Sequence, residues 1–248
     1  MTKPLDPAKL TIKIFADGAD LDGIREMAAN PLIRGFTTNP TLMRKAGVTD
    51  YKAFALDVLK IVSDRPISFE VFADDFEEME AQALEIASWG DNVNVKIPAT
   101  NTKGESAAPL VRRLSEKGVK VNVTVMFTLQ QVEEIIAVLD PATPAILSVF
   151  AGRVADSGRD PIPHMEQVVD IAKAKLEAET PWASPRELLN ILQADVAGCH
   201  IITVTNDVLK KLANIGKDLD QFSRETVQMF YDDASAAGYT IDTGSSND

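Results

Sequence analysis

A lysine at the end of an apolar strand is the residue in this sequence best placed for covalent chemistry. The stretch from Asn92 to Thr100 reads Asn-Val-Asn-Val-Lys-Ile-Pro-Ala-Thr, and side chains alternate between the two faces of a strand. Lys96 is therefore expected on the face opposite to the valines, and Pro98 ends the strand soon after it. Burial lowers the pKa of a lysine, and a neutral amine can attack a carbonyl group to form a Schiff base. The alternative is a lysine whose ammonium group extends to water.

Seven further strands are predicted from apolar runs, and each of the eight is followed by a helical pattern. In chain order the strands are predicted at 10–17, 33–39, 67–73, 93–98, 119–126, 145–150, 180–184 and 200–205. Eight alternating strands and helices, without a linker between them, predict an α/β protein that forms a single (β/α)8 TIM barrel. A doubly wound open sheet has the same alternation and is the alternative.

The domain organisation predicted from the sequence is a single domain over residues 1–248, a length common for α/β barrels. Within it, the barrel is expected over 11–215, a C-terminal helical extension over 216–240 and a disordered tail over 242–248. The helical extension is amphipathic, and its apolar residues could cover its own barrel or that of a neighbouring copy. A homo-oligomer therefore stays open as an alternative to a monomer.

In the second half of the predicted strands, polar residues occupy the alternate positions whose side chains face the barrel interior. On the fifth strand, Val121, Val123 and Val125 are expected to face the helices, while Asn122 and Thr124 face inward. The same alternation predicts that a further group points inward, namely Asp17, Thr37, Asn39, Glu70, Lys96 and Ser148. Branched apolar residues dominate the interior layers of such a barrel. The polar positions therefore predict an active site in the lumen.

Composition argues against several other classes of function. The chain has 25 basic and 37 acidic residues and a net charge of −12, which disfavours nucleic-acid binding. No apolar run reaches the roughly 20 residues of a membrane span, and the N-terminal stretch does not resemble a signal peptide. The single cysteine, Cys199, fits a reducing cytoplasm, which is the predicted location. The spacing of His164 and His200 fits no zinc site, and no metal or cofactor is predicted.

Six short phrases of the sequence resemble those of the transaldolase family, which includes the smaller fructose-6-phosphate aldolases. They occur in the family's order and are Phe15-Ala-Asp17, Gly35-Phe-Thr-Thr-Asn-Pro-Thr41, Val93-Asn-Val-Lys-Ile-Pro98, Asn122-Val-Thr124, Ser148-Val-Phe-Ala-Gly-Arg153 and Ala183-Ser-Pro-Arg186. The similarity extends from about residue 11 to 205, and the second and third phrases together are specific.

The resemblance implies a class I aldol mechanism without a metal or other cofactor. Lys96 would form a Schiff base with the dihydroxyacetone unit of a ketose phosphate, and Asp17 would be the acid and base in carbon–carbon cleavage. Glu70 and Thr124 would hold a catalytic water. Phe150 would form a wall of the pocket, and the donor hydroxyl groups would be oriented by Thr37, Asn39, Asn122 and Ser148. The phosphate would be bound by Arg153, Ser184 and Arg186, whose guanidinium groups suit phosphate oxygens.

The leading hypothesis is a transaldolase of the pentose phosphate pathway, which moves a three-carbon unit from fructose 6-phosphate or sedoheptulose 7-phosphate to an aldose phosphate. Glu70 favours it, because the resembling aldolases carry glutamine there, and Asn122 and Phe150 are also similar to transaldolases. The chain departs from the classical transaldolases in being much shorter and in having Pro185 where an aromatic is usual. The alternatives are an aldolase that releases free dihydroxyacetone, a relative acting on a sulfonated sugar, and a non-catalytic barrel that binds sugar phosphates.

Overall fold

Nine parallel strands form one closed sheet in the computed structural model, which describes residues 10–174 and 178–243. The strands are β1 (Lys13–Asp17), β2 (Ile33–Thr37), β3 (Ile67–Glu70), β4 (Val93–Pro98), β5 (Val121–Met126), β6 (Ala145–Val149), β7 (Ala178–Glu179), β8 (Pro181–Trp182) and β9 (Ile201–Thr205). They are ordered β5-β4-β3-β2-β1-β9-β8-β6-β7, and the pairing of β5 with β6 closes the barrel. The short strands β7 and β8 share the seventh position. The predicted (β/α)8 barrel is confirmed, and the open sheet is excluded.

Helices follow the strands around the barrel. They are α1 (Leu21–Ala28), α2 (Pro40–Lys45), α3 (Tyr51–Ile61), α4 (Phe76–Ala87), α5 (Ala108–Glu116), α6 (Leu129–Ile136), α7 (Ala151–Asp156), α8 (Pro161–Ala172), α9 (Leu189–Val196) and α10 (Asn206–Leu209), with a 3₁₀ turn at Lys210–Asn214. The short helices α2 and α7 were not predicted. Helix α2 nevertheless has a sequence signal, because the Asn39 side chain caps it and Pro40 occupies its first turn.

The register of the strands places the inward side chains at matching heights. Glu70 on β3 pairs with Lys96 on β4, and Lys96 pairs with Asn122 on β5. Asp17 on β1 pairs with Thr37 on β2. Alternate residues of these strands, such as Val95 and Val121, are fully buried in the apolar core. The core between the sheet and the helices therefore fixes which side chains face the lumen.

An apolar cluster occupies the lumen below the polar residues. Phe15, Ile146 and Ile201 form a buried group of their own, separate from the main core. The Phe15 ring lies against Gly35, where an added Cβ atom would come within 2.5 Å of the ring. A glycine is therefore required at this close approach. Phe15 lies two residues before Asp17 on β1, so both side chains face the lumen. The Phe15 ring therefore packs beneath the layer of polar side chains.

Val125 departs from the predicted alternation. It was expected to face the helices with Val121 and Val123, and that prediction is wrong, because Val125 is 39% exposed and lines the cavity at the carboxyl ends of the strands. The pairing of β5 with β6 shifts between Val123 and Met126, and Val125 has φ of 60°. A positive φ is strained for a β-branched residue. The irregular backbone turns this side chain away from the core.

Residues 213–243 belong to a compact unit distinct from Leu10–Leu212. Their main element is α11 (Leu219–Ala237), which Asp218 caps at the start and Gly238 ends with φ of 65°. No residue of α11 is buried, and its exposed apolar side chains include Phe222, Val227, Met229, Phe230 and Tyr231. Of the tail predicted to be disordered, residues 244–248 lie outside the described residues. No helix in the described ranges is both long and apolar enough to cross a membrane.

Replacing Val125 by glycine is expected to lower the free energy of unfolding far less than the same change at Val123, because relief of backbone strain offsets the loss of a side chain that is only partly buried. Glycine adopts a positive φ without the strain of about 1–2 kcal/mol that a branched residue carries. Its greater freedom in the unfolded chain offsets roughly 0.5–1 kcal/mol of that gain. The matched control is Val123→Gly, which removes a fully buried side chain from a regular part of β5 and should cost roughly 3 kcal/mol. Urea unfolding of both variants tests this; equal destabilisation would contradict the assignment of strain.

Candidate active site

A cavity of about 520 Å³ lies at the carboxyl ends of the barrel strands. All twelve residues predicted for the site line it, namely Asp17, Thr37, Asn39, Glu70, Lys96, Asn122, Thr124, Ser148, Phe150, Arg153, Ser184 and Arg186. Carboxyl ends of barrel strands are where TIM-barrel enzymes hold their active sites. The cavity is also lined by Lys45, Val125 and Thr203, which the sequence analysis did not select. The chemical roles of the twelve residues stay predictions.

Lys96 points into this cavity and not to bulk water. Its side chain is only 9% exposed, and its Nζ lies 3.0 Å from the Glu70 Oε2 atom. The same Nζ donates to the backbone carbonyl of Thr38 at 3.0 Å. A buried ammonium group is costly unless it is paired with an opposite charge and hydrogen-bonded, and both conditions are met here. The alternative of a lysine that extends to solvent does not describe this side chain.

Glu70 is held from behind by Tyr51 of helix α3. The Tyr51 Oη donates to the Glu70 carbonyl at 3.0 Å and accepts from the Glu70 backbone N–H at 2.8 Å. The ring packs among Phe69, Phe72 and Trp89, with centroid distances of 6.1, 4.5 and 5.5 Å. Burial raises the pKa of Tyr51, so the phenol stays protonated and serves as both donor and acceptor. Sequence reasoning missed Tyr51, because no motif connects helix α3 to the end of β3.

Asp17 lines the same cavity and accepts hydrogen bonds from two side chains. Thr37 Oγ1 donates to Asp17 Oδ1 at 2.8 Å, and Asn39 Nδ2 donates to Oδ2 at 3.4 Å. Burial raises the pKa of Asp17, although the positive charge of Lys96 and the Thr37 hydrogen bond act in the opposite direction. The nearby Glu70 carboxylate raises this pKa further. A carboxyl group that holds its proton to higher pH than usual is suited to act as a general acid and base.

Three polar side chains form a buried chain across the floor of the cavity. Ser148 Oγ donates to Asn122 Oδ1 at 2.7 Å, and Asn122 Nδ2 donates to Ser68 Oγ at 3.0 Å. All three residues are buried, as is the neighbouring Thr124. The two serines fix the orientation of the amide, whose NH₂ group has a second N–H available as a donor. Ser68 lies two residues before Glu70 on β3 and so has the same strand face, but the sequence analysis did not select it as a site residue.

The cationic end of the cavity is built by helix α7 and the turn after β8. The Arg153 guanidinium lies 5.6 Å from the centroid of the Phe150 ring. Ser184 has φ of 60°, and an added Cβ at Gly152 would lie 1.6 Å from the Ser184 carbonyl oxygen. The turn therefore passes directly against the start of α7, which only glycine permits. This contact brings Arg153 and Arg186, which are far apart in sequence, to one end of the cavity.

Arg186 is bound by Ser184, which the sequence analysis selected, and by Asp156 and Asn190, which it missed. Its Nε donates to both carboxylate oxygens of Asp156 at 3.0 and 3.1 Å, and its Nη2 also binds Asp156. Its Nη1 donates to Ser184 Oγ at 3.1 Å, and its backbone N–H donates to Asn190 Oδ1 at 2.7 Å. The hydrogen bonds from Arg186 lower the pKa of Asp156. Asp156 follows Arg153 by one helical turn, which is the signal that could have identified it.

The cysteine and the histidines lie outside the residues that line the cavity. Burial raises the pKa of Cys199 to about 12, so this thiol stays protonated and unreactive. The His200 Nδ1 lies 2.8 Å from Thr180 Oγ1. In the described part of the chain, no three or more His, Cys, Asp or Glu side chains are grouped to hold a metal ion.

Solved structures with a similar architecture support the fold alone. KGPDC from Streptococcus mutans matches with a TM-score of 0.56 at 8% identity, over 81% of this chain and 90% of that chain. An HpcH/Hpal aldolase/citrate lyase family protein from Burkholderia cenocepacia matches with a TM-score of 0.57 at 16% identity, over 91% and 98%. At such low identity the likeness says nothing about the reaction.

Sequence relatives are more specific. Proteins named probable transaldolase are 39% identical in a Thermoanaerobacter species, over 81% of this chain and 89% of that protein, and 35% identical in Dehalococcoides mccartyi, over 81% and 90%. A third, from Methanococcus maripaludis, is 37% identical over 82% and 90%. The sequence pattern of the family described as Transaldolase/Fructose-6-phosphate aldolase matches residues 14–243. The chain therefore belongs to the transaldolase/fructose-6-phosphate aldolase family.

Proposed function

We propose that this protein is a transaldolase that transfers a dihydroxyacetone unit from a ketose phosphate to an aldose phosphate through a Schiff base on Lys96. The observation that carries the proposal is an enclosed Lys96 amine 3.0 Å from the Glu70 carboxylate, in one cavity with the Asp17 carboxyl group. Fructose 6-phosphate and sedoheptulose 7-phosphate are the proposed donors. Such an exchange belongs to the pentose phosphate pathway, in the cytoplasm.

Formation of the Schiff base is the first step of the proposed reaction. The Lys96 ammonium group passes a proton to Glu70, its partner at 3.0 Å, and the amine then attacks the C2 carbonyl carbon of the donor. The resulting carbinolamine loses its hydroxyl group as water when a proton is returned to it. Glu70 and the buried Thr124 hydroxyl hold that water in the cavity. The covalent adduct is an iminium ion.

Cleavage of the C3–C4 bond follows. Asp17 takes the proton of the C4 hydroxyl group, the C4 oxygen becomes the carbonyl of the departing aldose phosphate, and the bonding electron pair moves into the iminium system. The enamine that remains on Lys96 adds to the aldehyde of a second aldose phosphate, and Asp17 returns the proton. The raised pKa of Asp17 suits both directions of this transfer. Thr37, Asn39, Asn122 and Ser148 orient the donor hydroxyl groups.

The phosphate is proposed to bind at the cationic end of the cavity. Arg153, Ser184 and Arg186 supply guanidinium and hydroxyl donors there, which match the oxygens of a phosphate group. The chain as a whole carries a net charge of −12, so its overall field repels an anion. Local cations at one end of the cavity would set the direction in which a sugar phosphate enters.

Trapping of the covalent intermediate tests the proposal directly. Incubation with fructose 6-phosphate and sodium borohydride is expected to attach a reduced three-carbon unit to Lys96, detected by peptide mass spectrometry. Lys96→Arg should abolish both the adduct and the activity, because a guanidinium group does not form the Schiff base. The matched control is Lys45→Arg, which changes another lysine of the same cavity and should leave the Lys96 adduct in place. Labelling at a different lysine would refute the assignment.

Replacing Glu70 by glutamine is expected to slow transfer by roughly a hundredfold, the size of a general acid–base contribution. The same change should increase the release of free dihydroxyacetone relative to transfer, because a neutral amide orders the pocket water differently from a carboxylate. Both fluxes are measured from fructose 6-phosphate, with and without erythrose 4-phosphate. Glu80→Gln, whose carboxylate binds Arg113 and Lys117 away from the cavity, is the control. A native enzyme that releases dihydroxyacetone as fast as it transfers it would be an aldolase instead.

Replacing Asp17 by asparagine is expected to stabilise the fold while lowering activity by roughly 10²–10⁴-fold. A carboxyl group whose pKa is raised on folding contributes less stability as pH rises above its unfolded pKa of about 4. The gain in free energy of unfolding should therefore grow as pH increases from 4 towards neutrality. Urea unfolding across this range measures it, with the exposed Asp22→Asn as control. A gain that does not change with pH would show that Asp17 has no raised pKa.

A further inference from the structure

We propose that Asp156 is a positioning residue of the anion site, which holds one edge of the Arg186 guanidinium so that its remaining N–H groups face the bound anion. The inference deepens the proposed function, because it rests on Arg186 as a phosphate ligand. The ligand class is a terminal phosphate or a similar oxyanion on a sugar. Asp156 itself does not touch the anion.

The contacts of Arg186 leave a defined part of the guanidinium group available. An arginine has five N–H donors in a fixed planar arrangement. The Nε and Nη2 atoms bind Asp156 side-on, and Nη1 binds the Ser184 hydroxyl group. Three N–H groups are thus engaged by these contacts within the described residues, and two remain. The carboxylate takes the edge that includes Nε, so the remaining donors lie on Nη1 and Nη2, which suits a bidentate oxyanion.

Both ends of the Arg186 residue are fixed. Its backbone N–H donates to Asn190 Oδ1 at 2.7 Å, while Asp156 and Ser184 hold the head group. The residue is exposed, and a long exposed side chain otherwise samples many rotamers. Ordering it before the anion arrives reduces the entropy lost on binding. Arg153, one turn before Asp156 on helix α7, has no comparable carboxylate clamp among the described residues but stacks near Phe150.

Judged by electrostatics alone, the position of Asp156 is unfavourable for an acidic residue. It is the last residue of α7, where the partial negative charge of a helix end disfavours an acid. It also reduces the positive charge of a site whose proposed ligand is an anion, in a chain that already carries −12. A carboxylate in this place is best explained by the geometry it imposes on Arg186.

A competing explanation makes the opposite prediction. If Asp156 only occupies Arg186 until a substrate phosphate displaces it, removing its charge would strengthen anion binding. If Asp156 positions Arg186, removing its charge would weaken anion binding despite the gain in positive potential. Asp156→Asn therefore separates the two explanations by the sign of its effect.

The experiment measures binding of inorganic phosphate by calorimetry to the native protein, Asp156→Asn and Asp156→Glu. We expect Asp156→Asn to weaken binding about tenfold, the size of a charge-assisted hydrogen bond, and Asp156→Glu to restore part of it. KM for fructose 6-phosphate should rise by a similar factor, with a smaller change in kcat. The matched control is Asp170→Asn, which removes an exposed, ion-paired aspartate from helix α8. It should leave phosphate binding unchanged.

A double mutant tests whether the effect passes through Arg186. In an Arg186→Ala background, Asp156→Asn should cause no further loss of phosphate binding, because the residue that it positions is gone. Tighter phosphate binding in Asp156→Asn, or an undiminished loss in the Arg186→Ala background, would overturn the proposal. Failure of the proposed function is seen separately, as a native protein that forms no borohydride adduct at Lys96, while phosphate calorimetry needs no turnover.

Discussion

The site depends on the ion pair between Lys96 and Glu70, which neighbouring strands hold face to face across 3.0 Å. A lone ammonium group in this enclosed lumen would be too costly to keep, so the carboxylate is a condition for having the lysine there. Tyr51 fixes the backbone of Glu70 from outside the barrel and so fixes the pair. Asp17 is the second acid of the cavity, and burial is the largest influence on its pKa, which is raised although the charge of Lys96 acts to lower it.

The cavity has two electrostatic ends that are organised differently. The inner end holds the cation Lys96 together with two acids, Asp17 and Glu70. All three are strand residues, and the sheet register sets their heights along the barrel axis. The outer end holds Arg153 and Arg186 on a helix and a turn, where Asp156 restrains the second arginine. Strand positions give the inner groups the rigidity that covalent chemistry requires. The outer groups are exposed and flexible by nature, so they need side-chain contacts to achieve comparable order.

Backbone strain is concentrated around the same cavity. The non-glycine residues with positive φ in the described part of the chain are Val125 and Ser184, and both line it. Strained backbone persists only where the surrounding structure determines it, and it commonly marks functional sites. At Ser184 the close packing of Gly152 imposes the turn, and at Val125 the register shift between β5 and β6 does. In both places the irregular backbone shapes the cavity wall, at a cost to stability that the apolar core offsets.

By itself, the sequence determined the barrel and the set of inward polar residues. Eight apolar runs alternate with helical patterns, which predicts the barrel. Which face of a strand a side chain points to follows from its position along the strand alone. Asp17, Glu70, Lys96 and Asn122 could therefore be assigned to one lumen before any contact was known. Only the tertiary structure decided that Val125 leaves this alternation, that Tyr51 fixes Glu70 and that Asp156 clamps Arg186. These features arise from a register shift between strands and from contacts across 19 and 30 residues of sequence. Local periodicity carries no information about partners at such separations, because they are set by how strands and helices pack in the closed barrel.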